Sequence, residues 1–450
     1  MAQPAIFDGD TGSYTSMSDF RSLGYPIFLK ILKLLGFGYK GVSWVQAILY
    51  AISTAVLVRV LAIRIGLLTS AGVAAGLLLN PYLTRYQFTI LTEGLWLSVL
   101  LVWAATLIEL LYAKKGILPK AVVLGALTGL AFTIKPASIA MVPILVITPI
   151  LMHRLIAVKL VVGATVLSVL AFFFIAGMER SAHHLIHGST EKSQLSNLIF
   201  ARSLMLEDHR VSVNSRYPKL TEALEEEYKK VHFFLREVSD IRVRQFLNVR
   251  YEAISHFGYR PAEFYSTVKR TGEKPDTIIR EFGIDRILAN KTNFFVRGLE
   301  HFLGMWTIFR VSTPGGSAAL QAFLDRSGPL PLAHLDPALR PKIRASFSAF
   351  LLQFGFWATG GLLSFQMLLL GTQCLFARRL SRVSLLNLTM IITIQGSFLA
   401  IAMLNTAIER FSIVYLPLIY VALALTATQY FEFFLKRGKA SHTPRGCPVP

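Results

Sequence analysis

Residues 91–136 read LTEGLWLSVLLVWAATLIELLYAKKGILPKAVVLGALTGLAFTIKP. From Gly94 to Ile108 no side chain is charged, and the apolar character holds through residue 113. At 1.5 Å per residue, a helix over 94–113 is about 30 Å long, the thickness of a bilayer's hydrocarbon core. Lys114, Lys115 and Gly116 break it, a second apolar run fills 118–134, and Lys135-Pro136 ends that one. Two apolar helices joined by a short basic turn form a membrane hairpin, and the rest of the chain repeats the pattern.

Working outward, further apolar runs fall at 41–63, 66–80, 136–152, 155–177, 347–376, 384–404 and 411–434, which predicts about nine spans in all. The runs 66–80, 118–134 and 136–152 are short for a bilayer, so they are expected to tilt, pair tightly or re-enter. With 53% hydrophobic and 16% charged residues, the chain is expected to be an all-α polytopic membrane protein. It divides into an acidic loop and interfacial helix at 1–40, an N-terminal bundle at 41–177, a long loop at 178–346, C-terminal helices at 347–435 and a basic tail at 436–450. The net charge of +20 does not imply nucleic acid, because its cations lie in short loops between apolar runs. Cys374 lies in an apolar run and Cys447 in the tail, so no disulfide is expected.

Charge in the connections orients the chain. Arg59 and Arg64, Lys114 with Lys115 and Lys120, His153 with Arg154 and Lys159, Arg378 with Arg379 and Arg382, and the tail's Lys436, Arg437, Lys439 and Arg445 occupy every second connection. Those are expected to be cytoplasmic. Residues 1–40, 81–93, the turn near 135, 178–346 and 405–410 are then external. Of 26 acidic residues, 19 lie in 178–346; Asp8, Asp10, Asp19, Glu93 and Glu409 fall at the external side and only Glu109 and Glu432 at the other. Carboxylates at helix ends are costly unless they face protein or water, so five on one face point to a site there. Residues 1–40 carry Arg21, Lys30, Lys33 and Lys40 yet have no preceding apolar run or signal peptide. The expectation is that a first transmembrane helix is missing from this chain, with direct translocation of a short tail as the alternative.

Within the long loop, Tyr228, Val231, Phe234, Leu235 and Val238 recur at helical spacing, which predicts amphipathic helices on the external surface. FVRGLEHFLGMWTIF, residues 295–309, is expected to lie flat in the interface with Trp306 as an anchor. His183, His184 and His187 offer an i, i+4 pair without a third metal ligand nearby, and Asn290-Lys291-Thr292 is a glycosylation sequon, meaningful only in a eukaryotic secretory pathway.

Four stretches carry a resemblance: GDTGSYTSMSDFRSLGYPIFLKIL (9–32), LLLNPYLTRYQFTILTEGLWLSVLL (77–101), LGALTGLAFTIKPASIAMVPILV (124–146) and AIERFSIVYLPLIYVALA (407–424). In this order they resemble the GT-C superfamily of membrane glycosyltransferases, of the bacterial protein-mannosyltransferase and aminoarabinose-transferase type. The match covers most of 1–160 and 385–435, with Lys135 standing where the family more often has Arg, and with the usual helix before the acidic loop absent. The resemblance implies a GT-C-like bundle in a bacterial inner membrane with a cytoplasmic C-terminus. It also implies a polyprenyl-phosphate sugar donor, an acceptor lipid, glycan or protein, and transfer with inversion at the anomeric carbon.

That chemistry needs a carboxylate to take the acceptor hydroxyl's proton, a role the resemblance gives to Asp10. Asp8 is expected to assist or to help hold a divalent cation, Mg or Mn; as part of Asp-Gly-Asp-Thr-Gly it is equally a turn residue. The leaving lipid phosphate needs fixed cations, for which Arg85, Lys135 and Arg410 are the candidates, with ordinary headgroup contact as the plain alternative. Glu93 is a candidate for the sugar hydroxyls or for pairing with Arg85. Tyr14 and Tyr86 are candidates for sugar binding, or members of an interfacial aromatic belt. Two other readings remain open: a polysaccharide polymerase or ligase acting on lipid-linked glycans, and a lipid or solute transporter.

Overall fold

A computed structural model describes residues 5–7, 10–19, 21–153, 156–188, 193–204, 206, 218, 221–222, 262–270, 275–306, 347–376, 381–404 and 412–441. Asp8, Glu409, Arg410, Cys447 and the amphipathic run around 228–238 lie outside the described residues. In chain order the helices are α1 (Thr11–Thr15), α2 (Gly24–Leu34), α3 (Tyr39–Arg64), α4 (Leu67–Leu79), α5 (Pro81–Phe88), α6 (Thr92–Tyr112), α7 (Ile117–Ile134), α8 (Val142–Met152), α9 (Val158–His187), α10 (Ser193–Leu204), α11 (Ala262–Arg270), α12 (Pro275–Ala289), α13 (Lys291–Gly304), α14 (Phe347–Phe376), α15 (Arg382–Leu404) and α16 (Leu416–Ser441). The chain is an all-α, multi-pass membrane protein: among the described residues, seven helices are long and apolar enough to cross a bilayer.

The two differences from the expected nine spans have local causes. The run 66–80 becomes α4, which meets α5 at a 55° bend. Pro81 has no N–H to continue the α4 ladder, and Asn80 starts α5 by accepting from the backbone N–H of Tyr82 (2.9 Å) and Leu83 (3.1 Å). Taken as one span, this bent pair makes an eighth. The run 136–152 starts as a 3-10 turn over Pro136–Met141 before α8 begins, which leaves it too short to span by itself.

The helices pack as a lipid setting requires. With no hydrophobic drive between helices, close approach of small residues does the joining. A Cβ on Gly125 would collide with the Ser168 backbone, and one on Gly129 would come within 2.8 Å of Ile175, so α7 lies tightly along α9. α6 and α15 form the inner layer: 78% of each apolar stretch is buried, against 22% for α9. Polar side chains inside this layer find one another. Trp103 Nε1 donates to Thr128 Oγ1 (3.0 Å), and Asn387 Nδ2 donates to Thr426 Oγ1 (2.9 Å) and Gln429 Oε1 (3.1 Å), tying α15 to α16.

One loop expectation is corrected. Trp306 is buried to 4%, its ring 5.0 Å from Phe398 and 5.3 Å from Phe356, so it anchors α13 to the helix bundle and not to headgroups. Asn290 of the sequon is buried too, and its amide donates to the Arg286 carbonyl (2.9 Å). Cys374 is a free thiol.

Candidate functional site

Glu93 and Glu109 are the only acids on α6, sixteen residues apart, so they mark opposite ends of a span about 24 Å apart. The Glu93 end gathers most of the residues singled out by sequence.

The acidic loop docks there first. Ile6 forms a short parallel bridge with Thr89: its N–H donates to the Phe88 carbonyl (2.8 Å), and its carbonyl accepts from Ile90 N–H (2.9 Å). Thr11 Oγ1 donates to the Ile90 carbonyl (3.1 Å). Ile6 and Thr11 therefore lie along the segment that leads into α6. Asp10, just before α1, is gripped by Arg21: Nη2 reaches Oδ1 at 2.6 Å. The same guanidinium donates from Nε to Ser13 Oγ (2.9 Å) and from Nη1 to Tyr14 Oη (3.2 Å), and lies 4.6 Å from the centre of the Tyr14 ring. One arginine thus ties Asp10, Ser13 and Tyr14 together.

Tyr14 stands edge-on to Tyr25, ring centres 5.4 Å apart. Tyr25, fully buried on α2, donates to Gln46 Oε1 (2.8 Å), and Gln46 Nε2 donates to the carbonyls of Gln87 (3.0 Å) and Thr89 (3.1 Å). Burial, then the nearby charge of Glu93 and the Tyr14 hydroxyl, push the Tyr25 phenol well above its ordinary value. The loop is also held from behind. Glu179 Oε1 accepts the Leu23 N–H (3.0 Å) and His183 Nε2 meets the Asp19 carbonyl (2.7 Å), both from the end of α9.

Glu93 itself faces inward. Its Oε1 pairs with Lys135 Nζ at 3.0 Å and its Oε2 accepts from Thr92 Oγ1 at 3.1 Å, with 2% of the Glu93 and 9% of the Lys135 side chain exposed. Helix ends favour both signs: the carboxylate lies in the first turn of α6 and the ammonium just past the last turn of α7. Trp96 closes the side, with Lys135 Nζ 5.9 Å from its ring and its Nε1 donating to Ser138 Oγ (2.6 Å).

Of the sequence candidates, Asp10, Tyr14, Glu93 and Lys135 thus lie at one end of the bundle, Asp10 and Tyr14 held by Arg21 and Glu93 paired with Lys135. Arg85 is exposed on α5 and Tyr86 is half-buried beside it. Glu93 pairs with Lys135 in place of Arg85, because Lys135 follows the helix packed directly against α6. Asp8 and Arg410 lie outside the described residues. For a divalent cation, the described residues hold no group of three His, Cys, Asp or Glu that could bind one, and Asp10 is already engaged by Arg21. His183 and His187 do share a face, with rings 4.6 Å apart. Sequence reasoning missed Arg21, Gln46 and Glu179. The available signal for Arg21 was a guanidinium inside a loop that also carries Asp8, Asp10 and Asp19.

At the other end of α6, Arg64 grips Glu109 with two bonds, Nε to Oε1 at 2.8 Å and Nη2 to Oε2 at 3.0 Å. Lys120 adds a third at 3.0 Å, and Arg382 donates to the Tyr112 carbonyl at 3.0 Å. This cluster ties the basic connections of three helices together at the end opposite Asp10.

No protein family, curated protein or solved structure matches this chain.

Proposed function

We propose that this chain is an integral-membrane glycosyltransferase of the GT-C type, moving a sugar from a polyprenyl-phosphate donor to an acceptor hydroxyl on a lipid, glycan or protein. The face carrying Asp10 and Glu93 is the external, periplasmic one of a bacterial inner membrane, residues 178–346 lie on that side, and the tail is cytoplasmic. The observation that carries the reading is the docking of the acidic loop against the start of α6, so that two carboxylates and two cations, Asp10 with Arg21 and Glu93 with Lys135, occupy one helix-bundle end. An acid-bearing loop held this firmly at a membrane surface suits positioned proton transfer beside a lipid headgroup.

In this mechanism the acceptor oxygen attacks the anomeric carbon from the face opposite the phosphate. The new C–O bond forms as the bond from that carbon to the phosphate oxygen breaks, and the electron pair leaves with the lipid phosphate. Asp10 takes the acceptor's proton, oriented by Arg21. Lys135, with Arg85 and Arg410, supplies positive charge for the leaving phosphate. Glu93 aims Lys135, Tyr14 steadies Arg21, and Tyr86 bonds the sugar hydroxyls. Asp8 supports Asp10.

The test is transfer from a radiolabelled polyprenyl-phosphate sugar pool in membranes holding the wild type or Asp10→Asn. The expected loss is about 10²–10⁴-fold. An unimpaired variant removes Asp10 as the base. The bent α4–α5 pair favours a second reading, a transporter, since broken helices are a feature of transport sites. Counterflow of labelled lipid in vesicles, without any sugar transfer, would select it.

A further inference from the structure

α2 presents a surface that the reaction above does not use. It is 11 residues long, about 16 Å, too short to cross a bilayer, and it lies at the Glu93 end of the bundle. A Cβ on Gly24 would come within 2.6 Å of Thr133 Oγ1, which places the start of α2 directly on the last turn of α7, next to Lys135.

Its three sectors differ in chemistry. At 100° per residue, Tyr25, Leu29 and Leu32 fall in one arc about 60° wide, and all three are buried against the bundle. Ile27, Ile31 and Leu34 fall in the opposite arc, and Ile31 and Leu34 are 51% and 78% exposed. Lys30 and Lys33 share the flank between, and both are exposed. The apolar surface continues through Leu35, Phe37 and Tyr39 to exposed Lys40. None of these three lysines has an ion pair among the described residues, and no acidic residue occurs from Phe20 to Thr92. By contrast, Arg64 and Lys120 at the other end share Glu109.

From this geometry we infer that α2 is a lipid-sensing surface: it lies in the plane of the bilayer interface, sinks its outer apolar arc among acyl chains and holds anionic phospholipid headgroups with Lys30, Lys33 and Lys40. An apolar arc flanked by lysines, with a third face fixed to the protein, matches an interfacial helix drawn to negative lipid. The charge complementarity is one-sided, because nothing acidic on this stretch competes for the lysines. The buried arc carries the effect inward: Tyr25 touches Tyr14 and bonds Gln46, so the headgroups that settle α2 also settle the acidic loop.

The test is amide hydrogen exchange over residues 24–34 in nanodiscs of phosphatidylcholine alone or of phosphatidylcholine with phosphatidylglycerol. The wild type is expected to exchange about tenfold more slowly in α2 when phosphatidylglycerol is present, with the difference lost in Lys30→Gln/Lys33→Gln/Lys40→Gln. Lys114→Gln/Lys115→Gln, at the far end of α6, is expected to keep the full lipid response. Equal exchange of wild-type α2 in the two lipids overturns the proposal, as does a response that survives in the triple variant. Protection that follows protein concentration instead of lipid identifies a second copy of the chain as the occupant and overturns it as well. Sugar transfer is not read in this experiment, so its outcome is independent of the role given to Asp10.

Discussion

Among the described residues, one end of α6 seals a carboxylate from water beside an ammonium, while at the other a carboxylate of the same helix stays wet beside two cations. Glu93 and Lys135 expose 2% and 9% of their side chains, whereas Glu109, Arg64 and Lys120 expose 26%, 34% and 31%. The wet cluster relies on geometry and number, since each exposed pair contributes at most about 1 kcal/mol. The dry pair relies on completeness: each buried charge is offset by the other. The wet end therefore behaves as a fastener between helices. The dry end is a place where charge is held under constraint.

The sharpest way to break this contrast is to remove one ammonium from each end. Lys135→Met strands the Glu93 charge and is expected to cost about 3–5 kcal/mol in detergent unfolding, while Lys120→Met is expected to cost about 1 kcal/mol or less. Equal losses would end the distinction. Adding Glu93→Gln to Lys135→Met removes the stranded charge and is expected to recover most of the loss.

Gly24→Ala tests how closely the loop must lie against the dry end. Its added methyl meets the backbone and Oγ1 of Thr133, so α2 must lift, at about 1–3 kcal/mol by unfolding. Exchange at Asp10–Thr15 should rise with it. If the loop is unaffected, α2 does not transmit to it.

Tyr25→Phe removes one buried hydrogen bond to Gln46, about 1 kcal/mol. It also changes the alkaline limb. The folded chain keeps the Tyr25 proton well above 10.0, while an unfolded tyrosine gives it up near that value. The folded state therefore binds more protons there, so this contribution is intact below about pH 10 and falls as pH rises further. The Phe variant should flatten that part of the decline, and a slope identical to the wild type would contradict it.

The smallest expected effect is from salt. Raising ionic strength from about 0.05 to about 0.5 M should weaken the Glu109 cluster by tenths of a kcal/mol, because it is solvent-screened, and leave the Glu93 pair unchanged. Double-mutant cycles on Arg64–Glu109 and Lys135–Glu93 at the two salt levels separate them.

Much of this was legible from residues alone. An uncharged run from Gly94 to Ile108 has few outcomes besides a buried or membrane helix, and Lys135-Pro136 ends α7 wherever α7 packs. Glu93 and Lys135 stood out as charges at the ends of apolar runs, and Asp10 and Tyr14 through the stretch that resembles a known family. Their partners did not stand out. Glu93 and Lys135 are 42 positions apart, and Leu23 and Glu179 are 156 apart. Hydropathy, summed over a window, also missed that Asn80 and Pro81 bend one run by 55° and that Trp306 turns inward.

The sequence by itself determined that this is an all-α membrane chain, because burial of apolar length in lipid is an additive, local property of each run. It also marked out polar residues at the ends of apolar runs as candidates. The tertiary structure alone decided which charges meet, that Arg21 and not a more distant cation holds Asp10, and that one end of α6 is dry while the other is wet. The reason is physical: solvent exposure and ion pairing depend on which helices lie side by side, and neighbours far apart in the chain leave no local trace in it.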